Sequence, residues 1–184
     1  MDKSAKDYEK FRLGDVEGLS NIIRDHKDGL ILYLNGFVQD ISVAEELTEE
    51  TFVQLVLKQP DFSSYSSFKT WLYTIGRNIA LSYLRRRKIV AIPLENCPEL
   101  TTDELNLERD YIRKEEQMVL YNAMKRLKPE YRQVLWLVYF EGFTNKETAR
   151  IMGKTVHNTE TLAYRARQAL KLILLEEGFV YERL

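Results

Sequence analysis

Cysteine and histidine are almost missing from this chain: its 184 residues hold one cysteine, Cys97, and two histidines, His26 and His157. A lone thiol excludes an internal disulfide, and nothing around Cys97 has metal-ligand spacing, so a reducing cytoplasm suits the protein. The histidines lie far apart, and no HExxH pattern, Cys/His cluster, Gly-rich phosphate loop or G-x-S-x-G elbow occurs. These gaps argue against a metal site, a cofactor or catalysis by this chain. Also missing are apolar runs of the ~20 residues needed to span a bilayer, and Met1-Asp-Lys-Ser-Ala-Lys-Asp7 lacks the apolar core of a signal peptide. The expectation is a cytoplasmic, non-enzymatic protein with no small-molecule substrate and no membrane insertion.

Net charge is close to absent as well, at -1, but the charges are unevenly placed. Residues 1–88 carry 13 Lys+Arg against 13 Asp+Glu, residues 89–110 carry 1 against 6, and residues 111–184 carry 13 against 9. An acidic connector between two neutral-to-basic blocks predicts two modules joined by a linker. Each block is small, so each is expected to enclose a small core.

No segment reads as a strand, and no internal repeat is present. Apolar positions recur at helical spacing in Leu19, Ile22, Ile23, Leu30, Leu34 and Phe37, again in Leu47, Phe52, Leu55 and Val56, and again in Phe68, Trp71, Leu72, Ile75 and Ile79. Gln59-Pro-Asp-Phe-Ser-Ser-Tyr-Ser-Ser67 breaks the pattern with turn formers, and Ser66 or Ser67 is placed to cap a helix from about Phe68 to Arg87. The period is lost again from Ile89 to about Glu108, where Pro93, Asn96 and Pro98 lie among acids. Asp103 then suits the cap of a helix gathering Leu107, Tyr111, Met118, Tyr121, Met124 and Leu127 on one side. Pro129 suits the first turn of the next, with Leu135, Val138 and Tyr139 inward and Gly142 at its end. Trp71 and Trp136, one per block, are expected to anchor the two cores.

The segment from Thr144 to Arg167 reads as a helix-turn-helix. Ala149 allows a second helix to cross closely, Gly153 supplies the positive φ of the turn, and Val156 is expected to return to the core. A helix starting there is placed to enter a DNA major groove.

Two further faces stand out by charge. Glu45, Glu46, Glu49 and Glu50 form one acidic stripe, opposite Leu47, Phe52, Leu55 and Val56, with no lysine until Lys58. That stripe is either a solvated surface or a docking face for a basic protein. The following helix mixes aromatics with amides and hydroxyls and ends in Arg85-Arg86-Arg87-Lys88, more cations than a helix C-terminus calls for. Phosphate contact by Arg85, Arg86 and Lys88, with stacking by exposed Tyr65 or Tyr73, would suit unpaired DNA.

Three ordered stretches carry a resemblance. Val43-Ala-Glu-Glu-Leu-Thr-Glu-Glu-Thr-Phe52, Phe68-Lys-Thr-Trp-Leu-Tyr-Thr-Ile-Gly-Arg-Asn78, and Leu127-Lys-Pro-Glu-Tyr-Arg132 with the terminal hairpin resemble the sigma-70 family of bacterial RNA polymerase initiation factors. The compact extracytoplasmic-function (ECF) group is the nearest match. The resemblance implies an all-α protein of two small helical domains joined by an acidic linker, the second ending in the helix-turn-helix. Residues 1–88 would form a region 2-type domain, 89–110 the linker threading toward the polymerase active site, and 111–184 a region 4-type domain.

It also implies partners: core RNA polymerase, promoter DNA and an anti-sigma factor. Glu45, Glu46, Glu49, Glu50 and Gln54 would dock on the polymerase clamp. Phe62, Ser63, Tyr65, Lys69, Trp71, Tyr73, Arg77, Asn78, Arg85, Arg86 and Lys88 would open and read the -10 element. Lys154, Thr155, His157, Asn158, Glu160, Thr161, Tyr164, Arg165 and Arg167 would read the -35 element. Where the family often carries a Thr-Val-Lys-Ser-Arg type run, this chain has Asn158-Thr-Glu-Thr-Leu162, so an unusual -35 preference is expected, with Glu160 able to accept from cytosine N4. A helix-turn-helix regulator without polymerase, and a polymerase-binding adaptor without promoter recognition, are the alternative functions.

Overall fold

Asp2 starts the structure by capping two helices with one carboxylate. Its Oδ1 accepts from the Ala5 N–H at 2.6 Å and its Oδ2 from the Phe68 N–H at 3.1 Å. The first bond opens helix α1 (Lys3–Arg12), which the apolar spacing does not announce. The second fixes the start of a helix 66 residues later. The computed structural model describes residues 2–59, 67–90 and 115–176. The loop residues Phe62, Ser63 and Tyr65, the acidic connector, Asp103, Leu107, Tyr111 and Gly178 lie outside these.

Helix α2 (Val16–Val38) is the central element, entered from the Asp15 cap and ended by Gln39 in the left-handed region. Its Leu30, Ile31 and Leu34 are fully buried. Helix α3 (Ile41–Lys58) is capped by Asp40 and packs along α2. Helix α4 (Phe68–Val90) is capped by Ser67, whose Oγ accepts from the Thr70 N–H at 3.2 Å, and it packs on α2 and α3.

The second half holds α5 (Glu115–Lys125), α6 (Pro129–Leu135), α7 (Asn145–Met152) and α8 (Val156–Glu176). Pro129 does sit at the start of α6, where its missing N–H has no partner to lose. The helix does not run straight to Gly142. Residues Trp136–Phe140 form a π turn, closed by the Glu141 N–H on the Trp136 carbonyl at 3.1 Å. The wider turn changes the register, so Tyr139, expected inside, is 54% exposed, while Phe140 stacks on Trp136 with ring centres 4.4 Å apart. Gly142 then reverses the chain at φ 70°.

The expectation of two separate small cores needs correcting. Among the described residues the apolar interior is continuous, running from Leu30, Leu34 and Tyr73 of the first half to Tyr121, Trp136 and Phe143 of the second. Helix α7 lies against α4, and α6 against α2. No periodicity within a block can reveal a contact between blocks.

Candidate functional site

The acidic stripe is real and outward. Glu46 and Glu49 are exposed on α3, with Glu45, Glu50 and Gln54 half-buried at its margins, and Gln54 Nε2 reaches Glu50 Oε1 at 3.4 Å. Leu47 and Leu55 fill the opposite side, buried against the rest of the fold. The stripe continues into exposed Val53 and Leu57, which sequence reading left out.

On α4 the terminal cations Arg85 and Arg86 are exposed, with Arg85 Nη2 donating to Ser82 Oγ at 3.1 Å, and Asn78 is exposed too. Lys88 lies on the same helix beyond the described side chains. Trp71 is half-buried against Tyr8 and Phe68, and Arg77 is half-buried with its Nε unpartnered. Tyr73 corrects the sequence reading: expected as an exposed stacking ring, it is fully buried. It shares the inward stripe with Leu72 and Ala80, and its ring packs against Tyr33 and edge-on against Phe143 of the second half. Burial, reinforced by the neighbouring Glu141 carboxylate, pushes its phenol well above the usual range.

Lys69 is also held. Its Nζ lies 2.8 Å from Glu141 Oε2 and donates to the Glu141 carbonyl at 2.8 Å, with the Phe143 ring 5.0 Å away. Trp136 Nε1 donates to the other Glu141 oxygen at 3.2 Å, so the π turn sets where this carboxylate points. One helical turn on, Glu147 Oε1 accepts from Ser67 Oγ and Thr70 Oγ1, each at 3.2 Å. Its other oxygen completes a capping box with Thr144. Burial disfavours the Glu147 charge, but the bonds from Thr144, Ser67 and Thr70 outweigh it and hold the carboxyl below the ordinary range. Sequence reading missed both acids. The Thr144-x-x-Glu147 spacing was a legible signal for one, and nothing local marks Glu141. Nearby, His26 is buried against Phe68 with Ser4 Oγ 2.9 Å from its Nε2, and burial, then Lys69, pulls its pKa down.

The helix-turn-helix forms as expected around Ala149, 3% exposed, and Gly153 at φ 64°. Val156 does not return to the core: at 41% exposure it sits in the first turn of α8 beyond the edge of α7, and Thr159, Ala163 and Ala166 take the inward positions. Thr155 caps α8, its Oγ1 accepting from the Asn158 N–H at 3.2 Å. Lys154 pairs with Glu130 at 3.2 Å. His157, Asn158, Glu160, Tyr164, Arg165 and Arg167 are exposed along one continuous outer surface, Thr161 is half-buried, and Asn145 Nδ2 lies 3.5 Å from Glu160 Oε1. The Arg167 guanidinium lies 6.0 Å from the Tyr164 ring.

Comparison with known proteins fits this geometry. The family model for sigma-70 region 2 matches residues 22–89, and that for sigma-70 region 4 matches residues 117–170. The chain is similar to the ECF RNA polymerase sigma factor BldN of Streptomyces coelicolor, with 27% identity over 92% of this chain. It spans 65% of that relative's length. It is similar to the ECF RNA polymerase sigma factor SigM of Bacillus subtilis, also at 27% identity, over 84% of this chain and 94% of that one. In fold it resembles CnrH, solved in complex with the cytosolic domain of CnrY, with a TM-score of 0.64 at 20% identity, covering 93% of this chain and 94% of that one. It also resembles the sigma factor RpoE solved with the anti-sigma factor NepR from Bartonella quintana, with a TM-score of 0.65 at 20% identity, covering 84% and 95%.

Proposed function

The chain belongs to the sigma-70 family of RNA polymerase sigma factors, in its extracytoplasmic-function group, and from that premise we propose that it binds core polymerase, selects promoters through their -35 and -10 elements and captures the melted strand. The observation that carries this reading is the order of the two matched regions together with three outward faces of matching charge: acidic α3, the basic end of α4, and α8.

Each face suits a different task. Glu46 and Glu49, flanked by Glu45, Glu50 and Gln54, offer a basic partner an acidic strip mounted on a helix whose other side is locked in the core. Arg85 and Arg86 sit where a displaced strand needs neutralising charge. On α8, His157, Asn158, Glu160, Thr161 and Tyr164 are placed to meet base edges, while Arg165 and Arg167 suit phosphates; Glu160 would favour cytosine. Opening the duplex requires unstacking bases at a few kcal/mol, offset by a pocket for the extruded base and by the basic strand contact. No nucleotide hydrolysis enters this step, and the polymerase supplies the chemistry. The protein itself would act in the cytoplasm without catalysis or cofactor; among the described residues no helix is long and apolar enough to cross a membrane. Residues 1–88 and 111–184 would be the two working domains and residues 89–110 the strap between them. An anti-sigma partner follows from the family and from the complexes in which the structural neighbours were solved.

Run-off transcription with purified core polymerase and a library of genomic fragments tests the proposal. Transcripts initiating at discrete, sequence-related sites are expected. Duplex binding without polymerase binding would favour a plain helix-turn-helix regulator, and polymerase binding without any start site would favour an adaptor.

A further inference from the structure

The side of α4 that begins the proposed -10 surface is covered by the protein's own second half. Three donors cluster there, the Ser67 hydroxyl, the Lys69 ammonium and the Thr70 hydroxyl, and all three are engaged by carboxylates from across the chain. Glu141 takes Lys69 at 2.8 Å, and Glu147 takes Ser67 and Thr70 at 3.2 Å. Thr70 is 1% exposed, and the Glu141 side chain is only 10% exposed. Phe143 closes the remaining gap by packing on Tyr73. Hydroxyl and ammonium donors at the first turn of a helix are groups a DNA phosphate would engage. Carboxylate oxygens stand in for phosphate here.

We propose that Glu141, Phe143 and Glu147 form an intramolecular seal over the start of α4, so that the arrangement seen here is closed to DNA and the two halves must part before the -10 surface can work. The inference rests on the role given to α4 above and adds the regulation of that surface. The seal is reversible by construction. Its polar contacts are hydrogen bonds and one partly exposed ion pair, each replaceable by water or phosphate once the halves separate. A binding-competent state populated only as a fraction weakens apparent affinity by that fraction, which is how a closed form would keep the free protein off DNA.

Two variants open the seal by different physics. Glu141→Gln with Glu147→Gln removes both charges, and glutamine keeps the capping box of α7 available. Gly29→Ala changes no charge: a Cβ on α2 at this point would stand 2.5 Å from Glu141 Oε1 and 2.8 Å from the Tyr73 hydroxyl, wedging the second half outward. In the full-length chain carrying Cys97→Ser, spin labels at Lys58 and Lys171, both exposed, report the separation of the halves by double electron–electron resonance. Binding is read by anisotropy with a fluorescein-labelled DNA single strand of random sequence, about 20 nucleotides long. A single short distance and weak binding are expected for the native residues. Longer, broader distances and roughly tenfold tighter binding are expected for both variants. Opening without tighter binding overturns the proposal, as does an unchanged distance in either variant, or tighter binding confined to the charge-altered one. Failure of every form to bind DNA would remove the α4 role as well, and run-off transcription by the native chain distinguishes that outcome.

Discussion

Arg132 is the best place to measure how strongly the two halves hold one another. It is 6% exposed and faces backbone carbonyls: Nε donates to the Gly36 carbonyl at 3.1 Å and Nη1 to the Lys125 carbonyl at 2.7 Å. The Gln39 amide, turned so that its oxygen meets the guanidinium, accepts from Nη2 at 3.0 Å. Gly36 and Lys125 lie in the last turns of α2 and α5, where carbonyls have no partner within their helices and the helix dipole is negative. One cation thus satisfies two helix ends from different halves. Arg132→Met would leave these acceptors buried at about 1–3 kcal/mol each, against which the cation's own desolvation, strong enough to pull its pKa down, is recovered. The net loss should be about 2–4 kcal/mol, or roughly 4–16 °C in melting temperature for a chain of this size. Arg132→Lys should fall between, since an ammonium lacks the fork that reaches both carbonyls. Urea unfolding followed by tryptophan fluorescence and circular dichroism supplies the measurement. Coincident curves are expected for the native chain and separated curves for Arg132→Met, because the halves lose a shared tie. A loss below about 1 kcal/mol would mean that water serves these carbonyls equally well and would refute the reasoning.

Reversing the α3 stripe with Glu46→Lys and Glu49→Lys should weaken binding to core polymerase at least tenfold with unchanged melting, read by size-exclusion co-elution and thermal unfolding; unchanged affinity would return these acids to mere solvation. Arg85→Ala with Arg86→Ala should reduce promoter opening, seen in permanganate reactivity of melted thymines, and flatten the salt dependence of single-strand binding by about 1.4 in log–log slope. Acid should destabilise the fold in two steps. The folded-state pKa of His26 lies below its ordinary 6.5, so the unfolded chain binds more protons in between; stability is complete above about pH 6.5 and falls as pH drops through the folded value. Glu147 is likewise depressed from 4.5, and its contribution should disappear below about pH 4.5 as the carboxyl is protonated. Thermal unfolding across pH checks this, and His26→Gln should erase the upper step only. Asp2→Ala should cost about 1–2 kcal/mol by uncapping α1 and α4 together, with hydrogen exchange rising at both Ala5 and Phe68.

What the sequence disclosed was whatever has a local period or local stereochemistry. Leu30 and Leu34 sit one turn apart and are both fully buried, Ser67 caps α4, Pro129 opens α6, and Gly153 holds the left-handed turn. What stayed hidden depends on distant partners. Tyr73 reads as a surface aromatic until Phe143 arrives from the other half. The π turn inserts a register change that no 3.6-residue template contains, which is why Tyr139 was misplaced. Val156 obeys the helical spacing but lies past the end of the helix it would have touched. Of the proposed site, the exposed acids and arginines were legible because like charges clustered on one helix are visible in the primary structure, whereas Glu141 acquires its role only by geometry.

The π turn gives that geometry an unusual genetic fragility. A π turn is an α-helix carrying one residue too many, so an in-frame deletion of a single codon between Trp136 and Phe140 would let the ordinary helix resume and rotate everything after it by about 100°. Glu141 would swing away from Lys69 while every other amino acid stayed the same. A lineage could therefore gain or lose the coupling between its halves through one three-nucleotide slip.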